Sequence, residues 1–247
     1  MSVKVGLEDL LRAGVHFGHL TRRWNPKMRK YIFMERNNIH IVDLKQTLNH
    51  LKAAHDLVRD MAAAGEDILF VGTKNQAKDI IKAEAARAGQ PFMAERWLGG
   101  TLTNFQTIKR SIRKLEGLEK MMNDGTADKL TKKERLQIDR EIDKMKAVFV
   151  GIQDMRRIPS AVFIVDTRKE EIAVKEARKL NIPVIAIVDT NCDPDLVDYP
   201  IPGNDDSAKA IGLITRTLIE GILEAKAMKE ASREAEKKEK EEEKADA

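Results

Sequence analysis

Three short, unbroken apolar runs constrain this chain more than any other feature: "ILFVG" (Ile68 to Gly72), "AVFIVD" (Ala161 to Asp166) and "PVIAIVD" (Pro183 to Asp189). A strand with one wet face alternates polar and apolar residues. A run that does not alternate is buried on both faces, as in a parallel sheet. Helical patterns follow the runs: "NQAKDIIKAEAARAG", "KEEIAVKEARKLN" and "DDSAKAIGLITRTLIEGILEAK". This succession predicts an α/β fold, a doubly wound parallel sheet with helices on both faces. "PFMAE" and "DYPI" are candidates for a fourth and a fifth strand.

The alternation breaks between Asn104 and Ile152. Phe105, Ile108, Ile112, Leu115, Leu118 and Met122 recur at steps of three and four, which makes one apolar stripe on a long helix. "NDGTAD" supplies a turn, and Thr131 with Glu134 forms a capping box that opens a second helix bearing Ile138, Ile142, Met145 and Phe149. The pair is expected to form an antiparallel helical hairpin projecting from the sheet domain. The predicted organisation is therefore a first part of the α/β domain with a basic N-terminal arm (1–103), a hairpin insertion (104–152), the second part of the domain (153–226) and a charged, disordered tail (227–247).

At 247 residues the chain can bury one substantial core. Its net charge is +4, with 34% charged and only 4% aromatic residues, a balance that suits a polyanionic partner. Cys192 is the only cysteine, so no internal disulfide can form. The first residues do not read as a signal peptide, and no apolar segment approaches membrane-spanning length. A cytoplasmic protein is expected.

Ligands of open α/β sheets bind beyond the carboxyl ends of the strands. There the chain carries "GTK", "DTRKE", "DTNCDPD" and "PGNDDS". "VGTK" resembles a phosphate loop, but the second glycine and the metal-binding hydroxyl of G-x-x-x-x-G-K-[ST] are missing after Gly72. An ordinary turn is expected, with Lys74 free to meet a phosphate of RNA. Asp189, Asp205 and Asp206 can converge at the sheet edge, and His19 of "HFGH" is the best available nitrogen ligand. Together they are the candidate site for a divalent metal, zinc or magnesium, although no cofactor is required and solvated helix-capping aspartates are the simpler explanation of the acids. A metal- or nucleotide-dependent enzyme using a crevice at Asp166, Asp189 and Asp205 is the competing reading, and an RNA-independent adaptor a third. No nucleophile elbow or phosphotransfer site supports catalysis.

Basic residues carry more information. "HLTRRWNPKMRKYIFMERNNIH" packs Arg22, Arg23, Lys27, Arg29, Lys30 and Arg36 around Trp24, Asn25 and Tyr31. Pro26 breaks any helix, so an irregular arm is expected. Guanidinium groups pair with phosphates and Trp24 can stack on a base or sugar. Arg96 beside Trp97, then Lys109, Arg110 and Arg113 on the first hairpin helix, and Arg156 and Arg157 where the chain returns to the sheet, point to RNA as well.

Those residues also carry a family likeness. "GVHFGHLTRRWNPKM", "FVGTKNQA", "ERWLGGTLTNF", "RRIPSAVFIVD" and "PVIAIVDTNCDPD" followed by "IPGNDDS" resemble, in order and spacing, the family of the bacterial small-ribosomal-subunit protein S-two. The likeness runs from about Leu7 to about Ala225. It implies a flavodoxin-like sheet domain with a protruding coiled-coil hairpin, bound to small-subunit ribosomal RNA and acting in translation. It also implies contact with neighbouring small-subunit proteins and a part in holding the messenger-binding protein S-one. Neither a membrane nor a small-molecule substrate is implied. The charged tail departs most from the likeness.

Overall fold

A computed structural model describes residues 4–124 and 130–245, the stretch from 232 onward by its backbone alone. The elements are α1 (Leu7–Arg12), β1 (Phe17–Leu20), two 3-10 turns (Thr21–Arg23 and Pro26–Tyr31), β2 (Ile32–Arg36), β3 (Ile39–Val42), α2 (Leu44–Ala64), β4 (Ile68–Val71), α3 (Lys78–Arg87) and β5 (Phe92–Met93). Then come α4 (Phe105–Asn123), α5 (Lys132–Phe149), β6 (Ala161–Val165), α6 (Glu171–Lys179), β7 (Val184–Val188), β8 (Tyr199–Pro202) and α7 (Ala208–Ala245).

Every residue of β4, β6 and β7 is buried, as unbroken apolar runs require. All pairings in this sheet are parallel and its order is β5-β4-β6-β7-β8. Counted from its own first strand, that is the flavodoxin-like arrangement, whose ligand crevice opens where the order reverses, between β4 and β6. Ile68, Phe70, Phe163, Ile185 and Ile187 pack with Leu51, Val58, Ile81, Leu218 and Ile222 of α2, α3 and α7. Leu69, Val71, Val162, Ile164 and Ala186 point to the other face, against residues of α4, α5 and α6. Phe70 and Phe163, paired in register, hold their ring centroids 5.4 Å apart. Each fully buried phenylalanine contributes roughly 1.5–3 kcal/mol by leaving water.

The α4 stripe is buried at Phe105, Ile108, Ile112 and Leu115, and α5 brings Ile142 and Phe149 to the same core. The capping box forms: Glu134 Oε2 accepts from the Thr131 amide at 2.9 Å and from its hydroxyl at 2.7 Å. Ion pairs Lys114–Glu141 and Lys146–Glu119 join the two helices. Most of the turn expected at "NDGTAD" lies outside the described residues.

Three features differ from the sequence expectation. The basic arm is not irregular: β1, β3 and β2 form a small antiparallel sheet in that order. Pro26 opens a 3-10 turn instead of an irregular loop, because its fixed φ suits a first turn and its missing N–H has no partner there. Buried Met28 and Tyr31 anchor that turn in the core. Secondly, α2 fills 44–64, with Asp43 accepting from the Lys45 amide at 2.9 Å and Gly65 closing the helix at φ 81. Thirdly, α7 continues through the expected tail to Ala245, in keeping with the high helix propensity of Ala, Lys and Glu. Among the described residues no helix is long and apolar enough to cross a membrane.

Candidate nucleic-acid interface and the carboxylate cage

The turn after β4 packs too tightly to cradle a phosphate. A Cβ on Gly72 would meet Ile81 at 2.8 Å and Ala77 at 3.2 Å, so glycine is there for the close approach of α3. The Thr73 amide donates to Glu170 Oε1 at 3.0 Å and its hydroxyl at 2.5 Å. Burial pushes the Glu170 carboxyl up, against the pull of those two donors. The Thr73 donors at this turn are therefore committed to Glu170.

Lys74, expected on RNA, turns into the crevice instead. Its Nζ lies 2.7 Å from Asp205 Oδ1, 2.6 Å from Asp206 Oδ1 and 3.3 Å from Asp166 Oδ2. Burial opposes the ammonium, but the carboxylates of Asp205, Asp206 and Asp166 outweigh it and raise the lysine pKa. Asp166, in the left-handed region at φ 65, also accepts from the amides of Arg168 and Lys169 at 3.1 and 3.0 Å.

His19 reaches the same cluster from β1. Its Nδ1 is 3.1 Å from Asp189 Oδ2 and its Nε2 is 3.4 Å from Asp206 Oδ2. The contact with Asp189, reinforced by the charges of Asp205 and Asp206, outweighs burial and raises the imidazole pKa. Thus the four residues expected at a metal do meet, and ligand atoms of His19, Asp205 and Asp206 lie within 4.8 Å of one another. Asp205 and Asp206 do not cap α7: Asn204 Oδ1 accepts from the amides of Asp206 and Ser207, and Ser207 Oγ from that of Ala210. Asp205 is completely buried, and its Oδ2 has no hydrogen-bond partner among the described residues. Burial, with the charges of Asp189 and Asp166, pushes its carboxyl up to about 7 in spite of Lys74. Cys192 lies among the same acids, and burial pushes its thiol up to about 12, so it is protonated at neutral pH.

Thr190 joins the small sheet to this cage. Its hydroxyl accepts from the His19 amide at 2.8 Å and its carbonyl from the Asn25 amide at 2.7 Å. A Cβ on Gly18 would sit 2.6 Å from the Thr190 methyl, so β1 can approach only through glycine. Lys27 completes the docking, 2.8 Å from Asp193 and 2.9 Å from Asp195.

The other basic residues divide in two. Arg22, Arg23, Arg29, Arg36, Arg96, Arg110 and Arg113 are exposed, and their guanidinium groups have no hydrogen bond or ion pair among the described residues. Several expected RNA contacts also serve the protein. Asn25 Oδ1 caps the second 3-10 turn by accepting from the Lys27 amide at 3.0 Å. Trp24 is half-buried with its ring centroid 5.0 Å from that of His40. Lys30 lies over the Tyr31 ring, Lys109 lies over Phe105 and reaches the Arg156 carbonyl, and Arg157 donates to the Gly65 carbonyl at 3.2 Å.

The segment leading into α4 is held by one residue that the sequence did not single out. The Glu176 carboxylate accepts from Trp97 Nε1 at 3.2 Å, from the amides of Gly100, Leu102 and Thr103 at 2.6, 3.0 and 3.1 Å, and from the Thr103 hydroxyl at 3.0 Å. Burial alone would raise its pKa, but these donors outweigh it and the net shift is downward. Trp97 is a core residue, 8% exposed.

A flavodoxin-like α/β body whose crevice is filled by its own lysine, with arginines turned outward on a docked sheet and a helix, is a cationic scaffold in class. The chain belongs to the ribosomal protein S2 family, whose model matches residues 10–225. Membership makes it a structural protein of the small ribosomal subunit, a ribonucleoprotein component that acts in translation.

Proposed function

We propose that this chain binds small-subunit ribosomal RNA directly through the outward arginines and helps to hold S-one and neighbouring proteins on the cytoplasmic ribosome. The observation that carries the reading is the pairing of exposed, unpartnered guanidinium groups with a rigid base. Arg22, Arg23 and Arg29 stand on 3-10 turns fixed by Met28, Tyr31 and Thr190, so little ordering entropy opposes their meeting with phosphates. The filled crevice argues against the enzyme reading, since Lys74 and Thr73 occupy the places that a substrate would need. Reversing Arg22, Arg23 and Arg29 to glutamate tests the proposal. Subunit incorporation should fail, and the slope of log affinity against log salt should fall by roughly 0.7–0.9 per lost phosphate contact. Normal incorporation would remove these residues from the interface. Lys27 is left out because its partners are Asp193 and Asp195.

For S-one the same sheet offers exposed apolar side chains, Phe17, Leu20, Phe33 and Met34, with Phe33 71% exposed on outer strand β2. Loss of S-one from subunits carrying Phe33→Ala, with the RNA contacts intact, is the expected result.

A second reading is favoured by the orphaned Asp205 Oδ2: His19, Asp205 and Asp206 hold a divalent ion, zinc or magnesium, with Asp189 fixing the imidazole through Nδ1. Oxygen ligands with one imidazole suit either ion, with the nitrogen favouring zinc. Metal analysis of the purified protein beside Asp205→Asn tests it. Stoichiometric metal in the wild type alone is expected; a metal-free wild type whose thermal midpoint ignores both ions overturns it.

A further inference from the structure

We propose that Lys74 is a tethered cation that competes with a divalent ion for one carboxylate cage, and that an ion taking its place turns the ammonium out to solvent. This rests on the divalent-ion reading above and adds to it a displaced group. Asp205 and Asp206 bind the lysine head at 2.7 and 2.6 Å through Oδ1, and the same two side chains lie with His19 in metal-ligand range. The ammonium holds the Oδ1 atoms, and an ion on the Oδ2 side of the same two carboxylates, beside His19, would lie a few ångströms from it, where like charges repel in a site of reduced dielectric.

The occupancy is also incomplete. Four carboxylates, Asp166, Asp189, Asp205 and Asp206, surround one ammonium and one imidazole. The ammonium satisfies only one oxygen of Asp205, leaving buried Oδ2 without a partner. A divalent ion carries twice the charge and can be bound by either or both oxygens of a carboxylate. Lys74 can yield its place: its side chain is 14% exposed, its flexible four-carbon stem lets the head swing, and Asn75 and Gln76 beside it are exposed. Ion binding therefore converts a buried counter-charge into one available to phosphate, at the end of the sheet where β1 docks through Thr190.

Zinc, and separately magnesium, is titrated into the purified full chain and into Lys74→Met, which keeps an unbranched stem without the charge. The variant should bind zinc at least about ten-fold more tightly. On the wild type, acetylation of Lys74 by an amine reagent, read by mass spectrometry, should rise several-fold at saturating zinc while that of Lys4 does not change. Labelling needs no variant and decides the matter if Lys74→Met fails to fold. Equal affinities with unchanged Lys74 labelling overturn the competition and leave the ion site standing. Absence of binding to either protein overturns the ion site and the competition together.

Discussion

The five-stranded and three-stranded sheets of this protein are held by different forces. In the parallel sheet β4, β6 and β7 are buried on both faces, and among the described residues polar side chains enter only at strand starts, where Gln90 and Asp198 accept from the amides of Ile68 and Val184. The small sheet has mostly exposed or half-buried strands. Apart from Met28 and Tyr31, which reach the core from the turn between β1 and β2, it is fastened through His19, Asn25 and Lys27 to the loop that follows β7. A body held by apolar burial is indifferent to small changes of charge, whereas an attachment made of hydrogen bonds and ions responds to them. The exposed arginines 22, 23 and 29 stand on the responsive part.

The comparison breaks most visibly in the core. Phe163→Ala removes a fully buried ring that packs on Phe70 and should cost about 3–5 kcal/mol, unfolding both sheets together in urea. Amide protection that outlasts the parallel sheet in 17–42 would show the small sheet to be independent. A smaller effect is expected from Gly18→Val, which drives a side chain into Thr190. Overpacking of this kind costs roughly 1–3 kcal/mol. Hydrogen exchange should accelerate in 17–42 and stay slow in β4, β6 and β7; uniform acceleration would erase the distinction.

Acidity sharpens it further. The Asp205 carboxyl is raised to about 7 from an ordinary 3.8, so between pH 8 and 6.5 the folded chain takes up a proton that the unfolded chain does not. Stability should therefore rise on acidification by about 1 kcal/mol over that interval. His19, also raised, acts in the same direction, since its contribution is lost as pH rises through the folded value. Asp205→Asn should flatten the profile, and a wild-type midpoint that falls over the same interval would contradict the sign. Least of all, Lys27→Ala removes an exposed ion pair and should leave the thermal midpoint unchanged, with faster exchange confined to 21–31.

The parallel sheet was legible because burial on both faces writes itself into composition, and Thr131 with Glu134 announced α5 by local chemistry alone. The small sheet was not, since its strands of four and five residues are interrupted by Pro26 and depend on Thr190, which lies 171 residues from His19. The places of the three aspartates at strand and helix ends suggest their convergence, whereas His19 joins them only as the best available imidazole, on condition that the N-terminal arm folds back over the sheet edge. Lys74 was not foreseen among them, because a lysine after a Gly-Thr turn gives no local sign of whether it points to solvent or inward. Glu176 was silent for a similar reason: one acid on an amphipathic helix reads as surface until the 97–103 segment folds over it.

That last contact sets an order of events during synthesis. The donors at Trp97 to Thr103 leave the ribosome 73 to 79 residues before the carboxylate that gathers them. Until β6 and α6 have been made, the segment before α4 has nothing to close on, and the direction in which Arg110 and Arg113 face is not yet fixed. A nascent chain therefore gains its oriented cationic helix late, after the strand and helix behind it exist.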